Sequence, residues 1–337
     1  MTEPTKTLPL SSAKSLLFRS GNLFQRGLKL SHLRMIVAME ETGQISQAAS
    51  MLQTSQPAAS RLLSEMETIL EARLCVRGSR GIEMTNAGRA LARRARSMLI
   101  EIREAEREIE DIKHGGGTVF VGAVTAAAVD LVVPAIRTVQ SINALLEAHV
   151  SIGPSHSLIK DLLAGDHDFV IGRIPEDMDP RQFNIRQIRS EKIRLMVRAG
   201  HPLLSETKPV SLNRLSQFEW ILPPPGNLMR RTIEDVFISR HLSLPHSSLN
   251  SASLLVTLST LSGTDAIAPM AEEVTSLLSI GGMIAELPFD DTIEIKPYSL
   301  ITARGHRLSP SAQLVSDHIL ARIEKPKAET PATTLPA

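Results

Sequence analysis

The spacing of apolar residues changes once along the chain, at the run His114-Gly115-Gly116-Gly117. Before this run, apolar positions recur at the spacing of amphipathic helices. After it, short apolar runs typical of strands alternate with helical stretches, as in βαβ units. The pattern therefore predicts a helical N-terminal block followed by an α/β block.

Three closely spaced helices are predicted in the first block. Ser31 is expected to cap a helix that ends at Gly43, and a second helix covers about residues 46–52. A short turn leads to Ser55, a predicted N-cap, with Pro57 in the first turn of a helix that ends near residue 70. A helix, a short turn and a second helix form the motif that places the second helix in a major groove of DNA.

Two further elements complete this block. Residues 74–84 contain Gly78 and Gly81 and are typical of a two-stranded wing. A long helix is expected from about Asn86 to Lys113, capped by Thr85. The first block thus has the element order of a winged helix-turn-helix with a linker helix.

The first turn of the third helix carries side chains suited to DNA. Gln56 can form two hydrogen bonds with adenine, Arg61 suits guanine or phosphate, and Ser60 can bond a base edge or a phosphate. Ser55 caps a helix whose free N–H groups favour phosphate. Ala58-Ala59 permit close approach and can touch a thymine methyl group. Any small helical domain can begin a helix with Ser-Gln-Pro, so the motif gains weight only with its surroundings.

The distribution of charge supplies part of those surroundings. The formal net charge is only +1, but seven arginines face a single acid, Glu83, between Arg73 and Arg96. Arg77 and Arg80 of the wing can reach the DNA backbone or the minor groove.

The long helix also carries a heptad pattern. One position of the seam holds Leu91, Met98, Ala105 and Ile112, and the other holds Ala95, Ile102 and Ile109. Its first half is basic and its second half mostly acidic, so an antiparallel pair of copies brings opposite charges together. We predict a dimer contact through Leu91, Met98, Ile102 and Ile109; the alternative is a helix packed on its own domain.

Composition excludes several other kinds of site and location. The single cysteine, Cys75, rules out an intrachain disulfide and a cysteine-rich zinc site. The 10 histidines lack ligand spacing, so neither a metal nor another cofactor is expected. No apolar run approaches the roughly 20 residues that span a bilayer, and no secretory apolar segment is present. We expect a cytoplasmic protein that does not bind a membrane.

Enzyme classes also lack their motifs. Gly115-Gly116-Gly117 precedes its strand, whereas a dinucleotide site needs a glycine-rich turn after the strand. No Gly-x-Ser-x-Gly nucleophile elbow is present. We therefore expect no enzymatic activity. A solute-binding receptor of a transporter shares the α/β fold of the second block, but it would need a signal peptide and no winged helix-turn-helix.

At these residues a family resemblance emerges. It is carried by Leu33-Arg34, Gln47-Ala48-Ala49, the run 55–60, Leu74 through Arg77, Met84-Thr85 and Ala87-Gly88. Together they resemble the winged helix-turn-helix of the LysR-type transcriptional regulators, and the likeness extends over the whole chain. Cys75 stands where the family usually has phenylalanine, and the leader of about 30 residues is longer than usual. The leader and the run 26–30 are similar to the galactose-binding-protein regulator subgroup.

The resemblance implies an N-terminal all-α winged helix-turn-helix with a linker helix, then an α/β effector domain of the periplasmic-binding-protein type. Two Rossmann-like subdomains, joined by two crossing strands, would enclose a cleft for a small molecule. The matching cleft residues are Thr125, Ser155, Arg173, His201, Ser251 and Ser253; Arg34 joins the DNA-binding residues. The boundaries are 1–27 (flexible leader), 28–85 (winged helix-turn-helix), 86–114 (linker), 118–323 (effector domain: 118–197 with 293–323, and 198–292) and 324–337 (disordered tail).

The expected function is that of a DNA-binding transcriptional regulator. A homodimer or homotetramer would bind an inverted repeat in double-stranded DNA, respond to a sugar or an organic acid, and contact RNA polymerase. The subgroup implies regulation of sugar uptake; regulation of aromatic or carboxylic acid metabolism is the alternative. Aromatic residues make up only 3% of the chain, which counts mildly against a sugar.

Overall fold

The computed structural model describes residues 23, 25–78, 81–206, 209–278, 282–289 and 291–324. The predicted leader, 1–27, and tail, 324–337, therefore lie almost wholly outside the described residues. The chain divides into two compact units, Met1–Glu106 and Arg107–Ala337. This division falls inside the predicted linker helix rather than at its end.

The first unit contains the predicted helices and wing. Its helices are α1 (Leu30–Thr42), α2 (Ile45–Met51), α3 (Gln56–Leu70) and the larger part of α4 (Asn86–His114); its strands are β1 (Cys75–Gly78) and β2 (Gly81–Met84). The two strands pair antiparallel, with Cys75 opposite Met84. The element order predicted from the sequence is confirmed.

The caps of these helices agree with the sequence at two of three positions. Ser55 Oγ accepts a hydrogen bond from the N–H of Ala58, and Thr85 Oγ1 accepts one from the N–H of Gly88. The predicted cap at Ser31 is wrong. Instead, α1 begins at Leu30, and His32 Nδ1 accepts the N–H of Lys29 at 3.0 Å. The side chain of His32, the third residue of α1, thus accepts the N–H of the N-cap residue Lys29.

Two close backbone approaches hold the wing and α4 against the helices. The N–H of Ile82 donates to the carbonyl of Gly43 at 2.8 Å, and a Cβ on Gly81 would lie 2.4 Å from that same oxygen. A Cβ on Gly88 would lie 2.0 Å from the carbonyl oxygen of Leu74. Only glycine fits at these two positions, so the wing and the start of α4 are fixed by contacts that any side chain would break.

The second unit is built on a mixed sheet of seven strands. Its strands are β3 (Gly117–Ala123), β4 (Leu146–Ile152), β5 (Phe169–Gly172), β6 (Phe183–Arg198), β9 (Ala268–Ala271), β10 (Ile284–Glu286) and β11 (Ile293–Ala303). The order is β10-β6-β11-β5-β3-β4, with β9 also on β6. Strands β3, β4 and β5 are parallel, whereas β11 is antiparallel to both β5 and β6. A separate parallel pair joins β7 (Trp220–Leu222) to β8 (Ser247–Asn250).

Helices surround both sheets. They are α5 (Thr125–Ala127), α6 (Val133–Ile142), α7 (Ser155–Ala164), α8 (Leu212–Leu215), α9 (Leu228–Ser239), α10 (Leu254–Gly263), α11 (Glu272–Leu278) and α12 (Pro310–Glu324). A π-helical turn, Ala128–Val132, joins α5 to α6, so helix begins at Thr125 rather than at the predicted residue 130. The strands β8 and β10 were not predicted; both are short and only partly apolar.

The long strands β6 and β11 cross between two hydrophobic cores. Ile193 and Ile293 pack in the core around Trp220, whereas Tyr298 and Leu300 pack in the core around β3 and α6. Each strand therefore changes subdomain in its middle. The predicted boundaries, 197/198 and 292/293, lie at the ends of these strands, so they assign nearly all of both strands to the first subdomain.

Candidate nucleic-acid interface and effector cleft

The first turn of α3 is exposed on the surface of the first unit. The side chains of Ser55, Gln56, Pro57 and Arg61 are exposed, and Ser60 is half-buried. Ala59 is fully buried in the core of the unit, so the expectation that it touches a thymine methyl is wrong. The helix thus presents hydrogen-bonding groups outward and its small residue inward.

A tight turn sets the direction of α3. Gln53 adopts a left-handed backbone with φ 52°, and the N–H of Thr54 donates to the carbonyl of Ala49 at 2.9 Å. Leu63 and Met66 then bury the opposite face of α3 in the core. Because the turn and the core fix both the start and the rotation of α3, its first turn has one defined presentation.

A buried histidine also holds α1 to α3. His32 is 1% exposed, and its Nε2 lies 3.1 Å from Glu65 Oε2. Since Nδ1 accepts the N–H of Lys29, Nε2 carries the hydrogen and donates to Glu65. Arg34 is exposed two residues further along α1. The Arg77 side chain and Arg80, expected in the wing, lie outside the described residues.

The predicted seam of α4 divides into two parts. Leu91 and Ala95 pack against the core of their own unit, so the packing alternative holds for this end of the helix. Further along, Met98 is 44% exposed, Ile102 43% and Ile109 53%. About half of each of these large apolar side chains is left exposed by the described chain, and they follow one another along one helix.

The arginines in the first half of α4 are less available to a second copy of the helix than the charge pattern predicted. The Arg96 guanidinium donates to Glu40 at 2.9 Å and also to Glu41. Burial lowers the pKa of Arg96, but the hydrogen bonds to Glu41 and Glu40 outweigh it and the pKa is raised. Arg89 donates to Asn86 and to the Met84 carbonyl. Two of the four basic residues expected to face a second copy are thus engaged within their own unit.

Three predicted cleft residues meet at one edge of the large sheet. Thr125, Ser155 and Arg173 follow the carboxyl ends of the parallel strands β3, β4 and β5, and such ends share an edge. The backbone N–H of Arg173 donates to Ser155 Oγ at 3.1 Å. Thr125 is exposed at the first residue of α5 and, contrary to expectation, does not cap it. In an open α/β sheet, this edge is where ligands bind.

The Arg173 side chain is already paired. Its Nη2 donates to Glu191 Oε2 at 2.7 Å, and its Nε donates to the Lys296 carbonyl at 2.7 Å. The guanidinium also lies 5.7 Å from the centre of the Tyr298 ring. Arg173 therefore holds the crossing strands β6 and β11 to the end of β5.

A second arginine on the crossing strands completes a polar cluster. Arg189 Nε donates to the hydroxyl of Tyr298 at 3.0 Å, its Nη2 pairs with Asp130, and Nε lies 3.8 Å from Glu273 Oε1. Tyr298 is fully buried; burial raises its pKa and Arg189 only partly opposes this. Nothing in the sequence spacing marked Arg189 or its partners as neighbours.

The cluster lies where the two subdomains touch. Asp130 follows α5 of one subdomain, and Glu273 belongs to α11 of the other. Beside them, Ala126 packs with Ala271 and Val274. We name Asp130, Arg173, Arg189, Glu191, Glu273 and Tyr298 the crossing-strand cluster.

The remaining predicted cleft residues are His201, Ser251 and Ser253, and they differ in exposure. His201 is 1% exposed; its Nδ1 accepts the N–H of Leu203 at 3.1 Å, and its Nε2 lies 3.1 Å from the Asp265 carbonyl. Both ring nitrogens are used inside the second subdomain, so His201 is removed from the expected effector contacts.

Ser251 and Ser253 have local roles that leave them near the surface. Ser251 Oγ accepts the N–H of Ser253 at 3.1 Å, and Ser253 caps α10. They follow β8, whose neighbour β7 is parallel to it, at the corresponding edge of the smaller sheet. Arg230, which sequence analysis missed, donates there to the Pro223 carbonyl and to Asn250 Oδ1.

Two family models together cover almost all of the described chain. "Bacterial regulatory helix-turn-helix protein, lysR family" matches residues 30–89, and "LysR substrate binding domain" matches residues 113–324. The chain belongs to the LysR family of transcriptional regulators. As a LysR-type regulator it binds DNA, carries an effector domain and is not an enzyme.

Curated relatives of this LysR-type regulator carry the same kind of description. The chain is 48% identical over 253 residues to the HTH-type transcriptional regulator GbpR of Rhizobium radiobacter, covering 74% of this chain and 83% of the relative. It is 34% identical over 287 residues to GbpR of Azospirillum brasilense, covering 85% and 84%.

Solved structures show the same fold. A full-length OxyR variant from Pseudomonas aeruginosa matches with a TM-score of 0.58 at 17% identity, covering 87% of this chain and 94% of that one. CbnR, a LysR family transcriptional regulator, matches with a TM-score of 0.50 at 20% identity, covering 87% and 100%. Within the described ranges, no helix of this LysR-type regulator is long and apolar enough to cross a membrane.

Proposed function

We propose that this LysR-type regulator binds an inverted-repeat promoter site as a dimer or tetramer and responds to a sugar bound in the effector cleft. It would act in the cytoplasm, control sugar uptake genes and contact RNA polymerase. The observation that carries the DNA-binding part is the exposed first turn of α3, held by a buried face in a domain that the family model matches.

Gln56 and Arg61 are the proposed base contacts. Both side chains are exposed near the start of α3, at the end of the helix that enters a major groove. Gln56 suits adenine and Arg61 suits guanine or phosphate. Ser55, Pro57, Ser60 and Arg34 would position the helix on the backbone, as would Arg77 and Arg80 of the wing.

The outer half of the α4 seam supports self-association. Met98, Ile102 and Ile109 are large, apolar and exposed, and they recur at heptad spacing. A second copy of α4 would cover them. Leu91 stays with its own core, so we now place the dimer contact at Met98 and beyond.

The charge balance of the crossing-strand cluster favours a neutral, hydroxylated effector. Arg173 is paired with Glu191, and Arg189 lies against Asp130 and Glu273. A carboxylate ligand would have to displace an acid from its arginine, whereas a sugar needs only hydrogen-bond donors and acceptors. Thr125, Ser155, Ser251 and Ser253 supply hydroxyls at the two sheet edges. The resemblance of the leader and of the run 26–30 to the galactose-binding-protein regulator subgroup supports the same choice.

Thermal denaturation with candidate ligands tests the effector class. We expect D-galactose or L-arabinose to raise the Tm of the full chain, because a ligand that binds only the folded state stabilises it. Benzoate, an aromatic carboxylate, should leave the Tm unchanged. Thr125→Val should abolish the sugar effect, and Thr138→Val, the same change at an exposed position of α6, should preserve it. A Tm raised by benzoate and not by either sugar would instead support the aromatic or carboxylic acid alternative.

A further inference from the structure

A pocket of about 470 Å³ lies beside the first turns of α12. Asn184 at the start of β6 and Thr302 near the end of β11 form one wall, and Gln313 and Ser316 of α12 form another. We name this the α12 pocket. Its volume falls within the range of sites for small molecules.

The α12 pocket is at the opposite edge of the sheet from the effector cleft. Strand β11 runs antiparallel to β5, with Ser299 opposite Gly172 and Ile301 opposite Val170. Thr302 therefore lies towards the amino end of β5, whereas the cleft residue Arg173 follows its carboxyl end. A ligand in this pocket would not touch the residues proposed for the cleft.

The walls of the pocket are structured by their own contacts. Asn184 Nδ2 donates to Thr302 Oγ1 at 3.2 Å, which joins the two strands. Gly305 adopts φ +87° in the turn that follows β11. Ser309 Oγ accepts the N–H of Ala312 at 3.1 Å at the start of α12. The pocket is thus bounded by paired strands, a tight turn and a capped helix.

The chemistry of the lining indicates a small anion. Arg307 lines the pocket, is exposed, and forms no ion pair within the described part of the chain. No acid occurs among the described residues of the lining, and the nearby Asp317 accepts a hydrogen bond from Gln313 Nε2 at 2.7 Å. The N-terminus of the fifteen-residue α12 adds a partial positive charge.

A serine of α12 supplies the second observation. Ser316 is only 3% exposed as a residue, and it lines the pocket. No hydrogen bond of its hydroxyl is found among the described residues, so the hydroxyl is available to a ligand at the pocket wall. Asn184 and Thr302 place further polar groups on the facing wall.

The geometry points to a second small-molecule site, the α12 pocket, that binds a hydroxylated monocarboxylate such as a sugar acid. Arg307 would bind the carboxylate, and Ser316 would hydrogen-bond a ligand hydroxyl. The single arginine matches a ligand with one negative charge. This site is independent of the proposed cleft effector.

Isothermal titration of the full chain with gluconate tests the site. We expect saturable binding of one gluconate per chain, weakened at least about tenfold by Arg307→Gln and severalfold by Ser316→Ala, because charged hydrogen bonds are the stronger ones. Arg304→Gln, an exposed arginine in the same loop but outside the lining, should leave binding unchanged. Thr125→Val should also leave it unchanged, since the cleft lies at the other edge.

Two further probes fix the ligand class. Galactitol has comparable hydroxyls and no charge, and we expect it to bind at least about tenfold more weakly than gluconate. Inorganic phosphate should also bind more weakly because it lacks the hydroxylated chain. The proposal is overturned if gluconate shows no saturable binding, if Arg307→Gln binds it as wild type does, or if phosphate binds more tightly.

Discussion

The exposed surface of the first unit and the crossing-strand cluster of the second use polar groups in opposite ways. Gln56 and Arg61 point outward from α3 with their hydrogen-bonding capacity directed at solvent. Arg173 and Glu191 are largely buried and bonded to each other at 2.7 Å. The first region is built to meet a partner, and the second to hold one arrangement of the effector domain. In these two regions, the exposed polar side chains are available to a partner, whereas the buried ones hold strands together.

The strongest test of the first region concerns the apolar seam of α4. Ile102→Asp with Ile109→Asp should convert the assembly to monomers, because a dimer would bury four unpaired carboxylates at a cost of several kcal/mol each. Sedimentation velocity over a range of protein concentrations measures this. Ser97→Asp adds one carboxylate to the same helix at an exposed position off the seam and should keep the assembly intact. A double variant that still sediments as a dimer at low concentration would refute the seam.

The next largest effect is expected at the first turn of α3. Gln56→Ala with Arg61→Ala should weaken binding to the specific site by about 2–6 kcal/mol per half-site, or roughly 30-fold to 20,000-fold. Binding to unrelated DNA should change far less, since phosphate contacts elsewhere remain. A mobility-shift titration at fixed salt gives both affinities. Thr68→Ala, at an exposed position near the far end of α3, is the matched control; unchanged specific affinity in the double variant would exclude these residues as base contacts.

Within the crossing-strand cluster, the expected effect is on stability. Glu191→Gln leaves the Arg173 charge buried without its partner and should lower the free energy of unfolding by about 3–5 kcal/mol. The single tryptophan, Trp220, is fully buried in the same unit, so its fluorescence reports the unfolding of that unit in urea. Arg181→Gln breaks an exposed pair with Asp179 and should have little effect. Equal stability of the two variants would show that the buried pair does not hold the crossing strands.

The same contrast explains what could be predicted from the sequence. The order of elements and the caps at Ser55 and Thr85 depend on neighbours within a few residues, and these were correct. The crossing-strand cluster joins residues such as Arg189 and Tyr298, 109 positions apart. No local pattern records such a pairing, since it exists only after the strands have aligned.

His201 was misplaced for the same reason. Its role as a cap needs only the nearby Leu203, but its second nitrogen meets a carbonyl 64 positions away. In the sequence, the family resemblance placed His201 among the residues of the effector cleft. The remote bond and the surrounding core make it a buried structural residue.

The subtlest test follows the ionisation of Tyr298. It is the only tyrosine in 337 residues, so tyrosinate absorbance during a pH titration reports this group alone. Burial raises its pKa in the folded protein, so we expect a midpoint above the usual value of about 10, returning to that value in urea. Because the folded pKa is the higher one, this group's contribution to stability is fully present below about pH 10 and is lost as the pH rises through the folded value.

The comparison between the two regions can then be refined with one more variant. Glu191→Gln should lower the Tyr298 midpoint, because the negative charge of the Glu191 carboxylate raises the pKa of the phenol. Gln56→Ala with Arg61→Ala changes only the other unit and should leave the midpoint where it was. If the tyrosinate signal rises at the unfolded value in the native wild-type protein, Tyr298 is open to solvent and the crossing-strand cluster does not bury it.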